Sequence, residues 1–288
     1  VALLAVMMDG VLRQAGDLGA ENDHLFSDRA FHYGDGLFET IAVIHGQALF
    51  WDAHLERLTA GAEILHIPVP PLTEWQAAFQ RLVHDYAHHD RLVLKLILGR
   101  GSGIGYASQN AGPSRCYLSL SEWPQRRPDF WNPGMIADIS PVPLLTGAPY
   151  LGVKSLNRLN QVMARDALSE DCAEGVMLDS DGILREGTMS NLFWVSGGVV
   201  HTPWLENGGI IGVQRDAILA WLRTQNIATR MGVYRSEVLR GAEEIFFSNS
   251  LIGIWPVRRF QGRALPGNAG LIASILLAWH QEMGLCPS

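Results

Sequence analysis

The sequence predicts an α+β protein of two domains, and three observations carry that prediction. The chain has 288 residues and 31.7 kDa, room for one large or two modest domains at roughly 100–200 residues each. Strand-like alternation and helical spacing are mixed through both halves without an internal repeat or a low-complexity tract. Six prolines fall between Glu122 and Pro149, among them Trp123-Pro124, Arg127-Pro128 and Pro141-Val142-Pro143, a density that marks a connection rather than a continuous core. The expected division is a small N-terminal domain over 1–122, a linker over 123–130 and a large C-terminal domain over 131–288.

The elements follow in order. Val1–Met8 is an apolar run with no basic residue before it and is shorter than a secretory core, so a first strand is expected rather than a signal peptide. From Phe26 to Ile44 the turn residues Gly34-Asp35-Gly36 lead into the alternating stretch Leu37–Val43, a strand. Asp52–Leu65 carries apolar residues at 55, 58, 62 and 65, a helical spacing, and Thr73–Tyr86 is a second helix with Thr73 as its cap. Arg91–Leu98 and Ser114–Leu120 read as paired strands. Beyond the linker, Lys154 stands before a helix whose apolar residues fall at 156, 159, 162, 163 and 167. Val176–Leu178 with Ile183–Arg185, and Leu192–Val195 with Val199–Thr202, read as hairpins around glycine-containing turns. Gly208-Gly209-Ile210-Ile211-Gly212 runs into a helix over Val213–Thr224, Ile245–Phe247 is a strand ending in Ser248-Asn249-Ser250, and Leu271–Trp279 is a terminal helix too short to span a bilayer.

Composition removes several functions. With 22 basic and 29 acidic residues the net charge is −7, against the basic excess expected of a nucleic-acid binder. Cys116, Cys172 and Cys286 are odd in number and lack CxxC spacing, which speaks against zinc or a disulfide framework and for the cytoplasm. Gly101-Ser102-Gly103-Ile104-Gly105 is spaced GxGxG and is followed by turn formers, so it is not a dinucleotide loop; Arg100 or Tyr106 in that loop could reach a substrate carboxylate. His84, His88 and His89 sit at a helix end with no carboxylate or cysteine to complete a metal set. No GxSxG elbow and no P-loop occurs.

Chemistry that needs a side-chain amine has two candidates, because twenty of the basic residues are arginine and only Lys95 and Lys154 are lysine. Lys95, in Leu92–Leu98, reads as a snorkelling strand residue. Lys154 is expected where a strand meets a helix N-terminus; the positive helix potential there disfavours an ammonium and favours a neutral, nucleophilic amine. The glycine-rich loop 208–212 offers backbone amides to a phosphate. Glu186, at a strand end, could hold the proton of a pyridinium while a lysine holds an aldehyde.

Together these stretches resemble the fold-type IV pyridoxal-phosphate enzymes, the group of branched-chain aminotransferases, D-amino acid aminotransferases and 4-amino-4-deoxychorismate lyases. The matching motifs are Asp28–Thr40, His54-Leu55-Glu56-Arg57-Leu58, Lys154-Ser155-Leu156-Asn157, Glu186–Phe193 and Gly212–Ile218. The resemblance implies the D-amino acid aminotransferase-like two-domain fold, with pyridoxal 5'-phosphate as cofactor and a homodimer as the working form. It implies that Lys154 carries the cofactor and shuttles a proton, that Glu186 pairs with the pyridine nitrogen, and that Arg57, the amides of Val213 and Gln214, and Ser248, Asn249 and Ser250 anchor the phosphate. Arg100-Gly101-Ser102-Gly103, Leu156–Val162, Ser248–Gly253 and Thr40 are similar to the lyases. The implied activity is release of pyruvate and 4-aminobenzoate in folate biosynthesis, with Thr40 positioning the leaving group and Tyr33, Arg100 and Tyr106 binding substrate. Lys154-Ser155-Leu156-Asn157 resembles the D-amino acid aminotransferases, so a D-amino acid or broad-range aminotransferase is the alternative. No metal, nucleic acid or membrane partner is expected.

Overall fold

The computed structural model describes residues 3–8, 10–14, 28–103, 105–109, 111–206 and 208–287. Val1, Ala2, Phe26, Ser27 and Ile104, which fall in the stretches read above, lie outside them. The chain divides into two compact units, Val1–Gln125 with Val153–Asn157, and Arg126–Gly152 with Arg158–Ser288. Val153–Asn157, which the expected domain over 131–288 would contain, belongs to the first unit.

In the first unit β1 (Leu3–Met8), β2 (Val11–Gln14), β3 (Gly36–Ile44), β4 (Gln47–Ala48), β5 (Arg91–Gly99) and β6 (Arg115–Glu122) form a sheet in the order β2-β1-β6-β5-β3-β4. A short helix, α1 (Arg29–Tyr33), precedes β3; the Asp28 carboxylate caps it by accepting from the Ala30 amide at 2.8 Å, and Gly34 ends it at φ +62°. β3 alternates its side chains, so Leu37, Ile41 and Val43 enter the core with Leu55, Leu58 and Ala62 of α2 (Trp51–Leu65). The helix expected from Thr73 is α3 (Leu72–His84), and Thr73 does not cap it: Pro71 precedes the first turn and its carbonyl accepts from the Glu74 amide at 2.9 Å.

In the second unit the strands are β7 (Met135–Ile139), β8 (Glu174–Leu178), β9 (Leu184–Gly187), β10 (Asn191–Ser196), β11 (Val199–Pro203), β12 (Thr229–Gly232), β13 (Glu244–Asn249), β14 (Gly253–Phe260) and β15 (Arg263–Ala264). Their order is β12-β11-β10-β13-β14-β7-β8-β9, with β15 on β14, and β9 packs back on β10 and β11, which curls the sheet. The helices are α4 (Leu159–Asp166), α5 (Val213–Thr224) and α6 (Leu271–Glu282). Phe193 and Phe246 stack at 5.1 Å between neighbouring strands inside the core, and Trp221 of α5 stacks on Trp279 of α6 at 4.9 Å. Among the described residues no helix is long and apolar enough to cross a membrane.

One expectation changes here. Lys154 does not stand at a helix start: Ser155 bridges Leu37 of β3, with the Phe38 amide donating to the Lys154 carbonyl at 3.0 Å and the Leu156 amide to the Gly36 carbonyl at 2.9 Å. Helix α4 begins at Leu159. Helix potential fades within a turn, so it is the strand pairing that sets the lysine's surroundings.

Candidate active site

In the first unit Lys154 and Lys95 converge on one ring. The Lys154 Nζ lies 4.3 Å from the centroid of Phe38, and the Lys95 Nζ lies 5.3 Å from it. The register Thr40↔Lys95 and the two-residue period of β3 place Phe38, Thr40 and Lys95 on one face of the sheet. Thr40, expected to position the leaving group, therefore shares a face with the aromatic ring beneath Lys154.

The opposite face carries a buried polar triad the sequence did not reveal. Glu39, 1% exposed, accepts from Arg57 Nε at 2.8 Å and Nη2 at 2.5 Å, and from His54 Nδ1 at 2.7 Å. Burial pushes the Glu39 carboxyl upward, but the His54 hydrogen bond and the Arg57 charge outweigh it and hold the pKa at about 2. Burial lowers the His54 pKa despite the carboxylate beside it. Neutral His54 thus donates to Glu39, and Arg57, the expected phosphate ligand, is clamped by a two-pronged carboxylate.

The loop expected to bind substrate is organised by arginines. Asp35 Oδ2 accepts from Arg29 Nε and Arg100 Nε, each at 2.8 Å. Arg100 also donates through Nη1 to the His66 carbonyl at 2.9 Å and through Nη2 to that of Leu65 at 2.7 Å. The guanidinium of Arg100, expected to reach a substrate carboxylate, is here hydrogen-bonded to Asp35 and to the carbonyls at the C-terminus of α2. Arg29, 3% exposed, holds the Gly105 carbonyl at 2.6 Å and that of Tyr106 at 3.3 Å. The Tyr33 hydroxyl accepts from the Gly105 amide at 3.0 Å, and the rings of Tyr33 and Tyr106 lie 5.6 Å apart, with Tyr106 90% exposed.

In the second unit Glu186 sits on β9, buried, its Oε2 accepting from the Ile210 amide at 2.7 Å. Burial lowers the pKa of Arg158, and the charge of Glu186 partly offsets it. Gly209, at φ +95°, brings the backbone close to Glu186; a Cβ there would lie 3.4 Å from its Oε2. The loop continues to Gly212, the N-cap of α5, which offers no side-chain hydrogen bond to the first turn. The amides of Val213 and Gln214 open that turn and are left to an outside acceptor. The Gln214 side chain turns inward, its Nε2 2.7 Å from His280 Nε2. Ser248 is buried at the end of β13, and Asn249 Oδ1 accepts from the amides of Leu251 and Ile252 at 2.9 and 3.1 Å, fixing the turn that carries half-buried Ser250. The donor set suits a phosphorylated pyridine: uncapped helix amides for the phosphate and a buried carboxylate for a ring nitrogen. Besides Glu39 and His54, reasoning from sequence missed Glu174 and Asn191; no local spacing distinguishes them, because their partners are distant in the chain.

The family described as Amino-transferase class IV matches residues 36–260. The chain belongs to that family. The aminodeoxychorismate lyase of Vibrio harveyi is 30% identical over 232 residues, 80% of this chain and 84% of that protein. The crystal structure of 4-amino-4-deoxychorismate lyase from Pseudomonas aeruginosa matches this class IV chain with a TM-score of 0.83 at 34% identity, covering 96% of this chain and 98% of that one. The Escherichia coli branched-chain amino acid aminotransferase structure gives a TM-score of 0.88 at 22% identity, covering 100% and 97%, a likeness of fold. The protein is a pyridoxal-phosphate enzyme of class IV with the expected mixed helix-and-sheet architecture.

Proposed function

We propose that this class IV enzyme is a 4-amino-4-deoxychorismate lyase, releasing pyruvate and leaving 4-aminobenzoate. The observation that carries this is the contrast between fold and sequence: the aminotransferase structure has the higher TM-score, yet identity is 34% to the lyase structure and 22% to the aminotransferase. Fold alone is shared across both activities.

The bound cofactor supplies an electron-withdrawing ring that makes the substrate carbon beside the amine acidic. Lys154 Nζ would hold the cofactor and, once the substrate amine has taken its place, would be free to accept the proton from that carbon. Thr40 Oγ1 donates toward the ether oxygen that leaves with the enolpyruvyl group, a role supported by its position on the same face of β3 as Phe38. Glu186 holds the ring-nitrogen proton. Arg57, the amides of Val213 and Gln214, and the turn Ser248-Asn249-Ser250 bind the phosphate, while Tyr33 and Tyr106 face the substrate. The enzyme works as a homodimer in the cytoplasm; exposed Leu159, Val162 and Met163 along α4 and three free cysteines support this.

The test is a parallel assay. Protein loaded with pyridoxal 5'-phosphate should convert aminodeoxychorismate to 4-aminobenzoate, followed by its fluorescence, and should turn over D-alanine with 2-oxoglutarate far more slowly. Transamination without lyase product selects the aminotransferase alternative. Lys154→Ala should lose both the visible absorption of bound cofactor and all turnover; a retained band removes Lys154 from its role.

A further inference from the structure

Glu174 lies on β8, 0% exposed, in a position the reaction scheme does not use. Its two carboxylate oxygens accept five hydrogen bonds. Oε1 accepts from the amides of Gly175 at 2.9 Å and Thr188 at 2.8 Å and from the Thr188 hydroxyl; Oε2 accepts from the Met189 amide at 3.3 Å and the Ser190 hydroxyl at 2.6 Å. Four of the five come from the single turn Thr188-Met189-Ser190. A carboxyl group buried this deeply needs hydrogen-bond partners around it, and Arg126 is near enough to feel its charge.

That turn is the junction of the proposed cofactor cradle. On its upstream side is Gly187, whose amide donates to the Ser190 carbonyl at 2.6 Å and whose missing Cβ would stand 3.0 Å from Glu174 Cδ; Glu186 immediately precedes it. The register Met177↔Glu186 puts Glu186 on the face of β8 and β9 opposite to Glu174, so the carboxylate supports it from behind. On its downstream side Asn191 Nδ2 donates to the Ile210 carbonyl at 2.8 Å, while the Ile210 amide returns to Glu186. From its middle, the Met189 carbonyl accepts from Asn249 Nδ2 at 3.2 Å. One turn is thereby tied to Glu186, to the loop entering α5 and to the 248–250 turn.

We propose that Glu174 is a positioning residue for the cofactor: its carboxylate templates the turn from which the ring-nitrogen partner and both phosphate-binding segments are aimed. This rests on the cofactor reading of the second unit. In Glu174→Gln the shape survives, but the amide nitrogen presents hydrogens to one of the donors now served by a carboxylate oxygen. The turn must shift, and its three tethers with it.

The experiment measures the dissociation constant for pyridoxal 5'-phosphate by fluorescence quenching of the apoprotein, beside the apoprotein's thermal midpoint, for wild type, Glu174→Gln and Thr188→Val. Loss of a charge-assisted hydrogen bond predicts about tenfold weaker binding in Glu174→Gln, with a smaller loss in Thr188→Val and recovery in Thr188→Ser. Wild-type affinity in Glu174→Gln at a temperature where it is folded, with only the thermal midpoint lowered, overturns the proposal. If Glu174→Gln does not fold, the Thr188 pair decides: equal affinity in Thr188→Val and Thr188→Ser overturns it. A wild-type protein that binds no cofactor removes the cofactor reading itself, an outcome distinct from tight binding by wild type and variant alike.

Discussion

Glu39 shows how much one side chain can hold when water is excluded. Its carboxylate joins the guanidinium of Arg57 to the imidazole of His54; these two lie one turn apart on α2, whereas Glu39 reaches them from β3, a link that local sequence does not reveal. Removing one member of a buried pair leaves the other charge uncompensated, which costs about 3 kcal/mol or more. Glu39→Gln is therefore expected to lower the unfolding free energy read from urea denaturation by that order and to weaken binding of pyridoxal 5'-phosphate more than binding of unphosphorylated pyridoxal, since Arg57 loses its clamp. Equal weakening of both ligands would separate Arg57 from the phosphate. Arg100 carries the converse lesson: an arginine in a glycine-rich loop looks available to substrate, and only the folded chain reveals that the α2 carbonyls and Asp35 occupy it.

Among the elements, those with strong periodicity were legible. The helix expected over Val213–Thr224 is α5 to the residue, and the helix expected over Asp52–Leu65 differs from α2 by its first residue, because apolar spacing there matches the buried stripe. The hairpins around Asp179–Gly182 and Ser196–Gly198 were legible from turn chemistry. Lys154 was identified for its amine, yet its setting was misread: helical spacing from 156 to 167 continues across residues whose backbone hydrogen bonds are taken by β3, and a tertiary pairing of this kind leaves no periodic trace. β14 was not read as a strand at all: most of it is buried, so no polar alternation marks it. For α5, the approach of Gly212 to Asn191 is decisive: a Cβ on Gly212 would fall 2.0 Å from Asn191 Oδ1. Gly212→Ala should push the helix start away from the Asn191 side and reduce affinity for pyridoxal 5'-phosphate at least about tenfold, measurable by equilibrium dialysis; unchanged affinity would detach the α5 amides from the phosphate.

Over the whole molecule, buried neutral histidines make stability depend on pH in a definite direction. Burial pushes the His280 pKa down to about 4 from an ordinary 6.5, outweighing its hydrogen bond to the Leu276 carbonyl. Between those values the unfolded imidazole binds a proton that the folded one refuses, so stability falls as pH drops from 6.5 to 4, by on the order of 3 kcal/mol from this residue. His54, also lowered, acts in the same sense. Glu39 extends the decline: its carboxylate takes no proton in the folded protein until about pH 2, whereas the unfolded group does so from about 4.5. Thermal midpoints should fall steadily on acidification below neutrality, and His280→Gln should flatten the slope between pH 6.5 and 4; a midpoint independent of pH across that window would contradict the burial of these groups. The scarcity of lysine has its own consequence at this scale. Both side-chain amines of a 288-residue protein stand over Phe38, so the lysine modifications that an acylating reagent leaves in a mass spectrum of the apoprotein report on one aromatic patch.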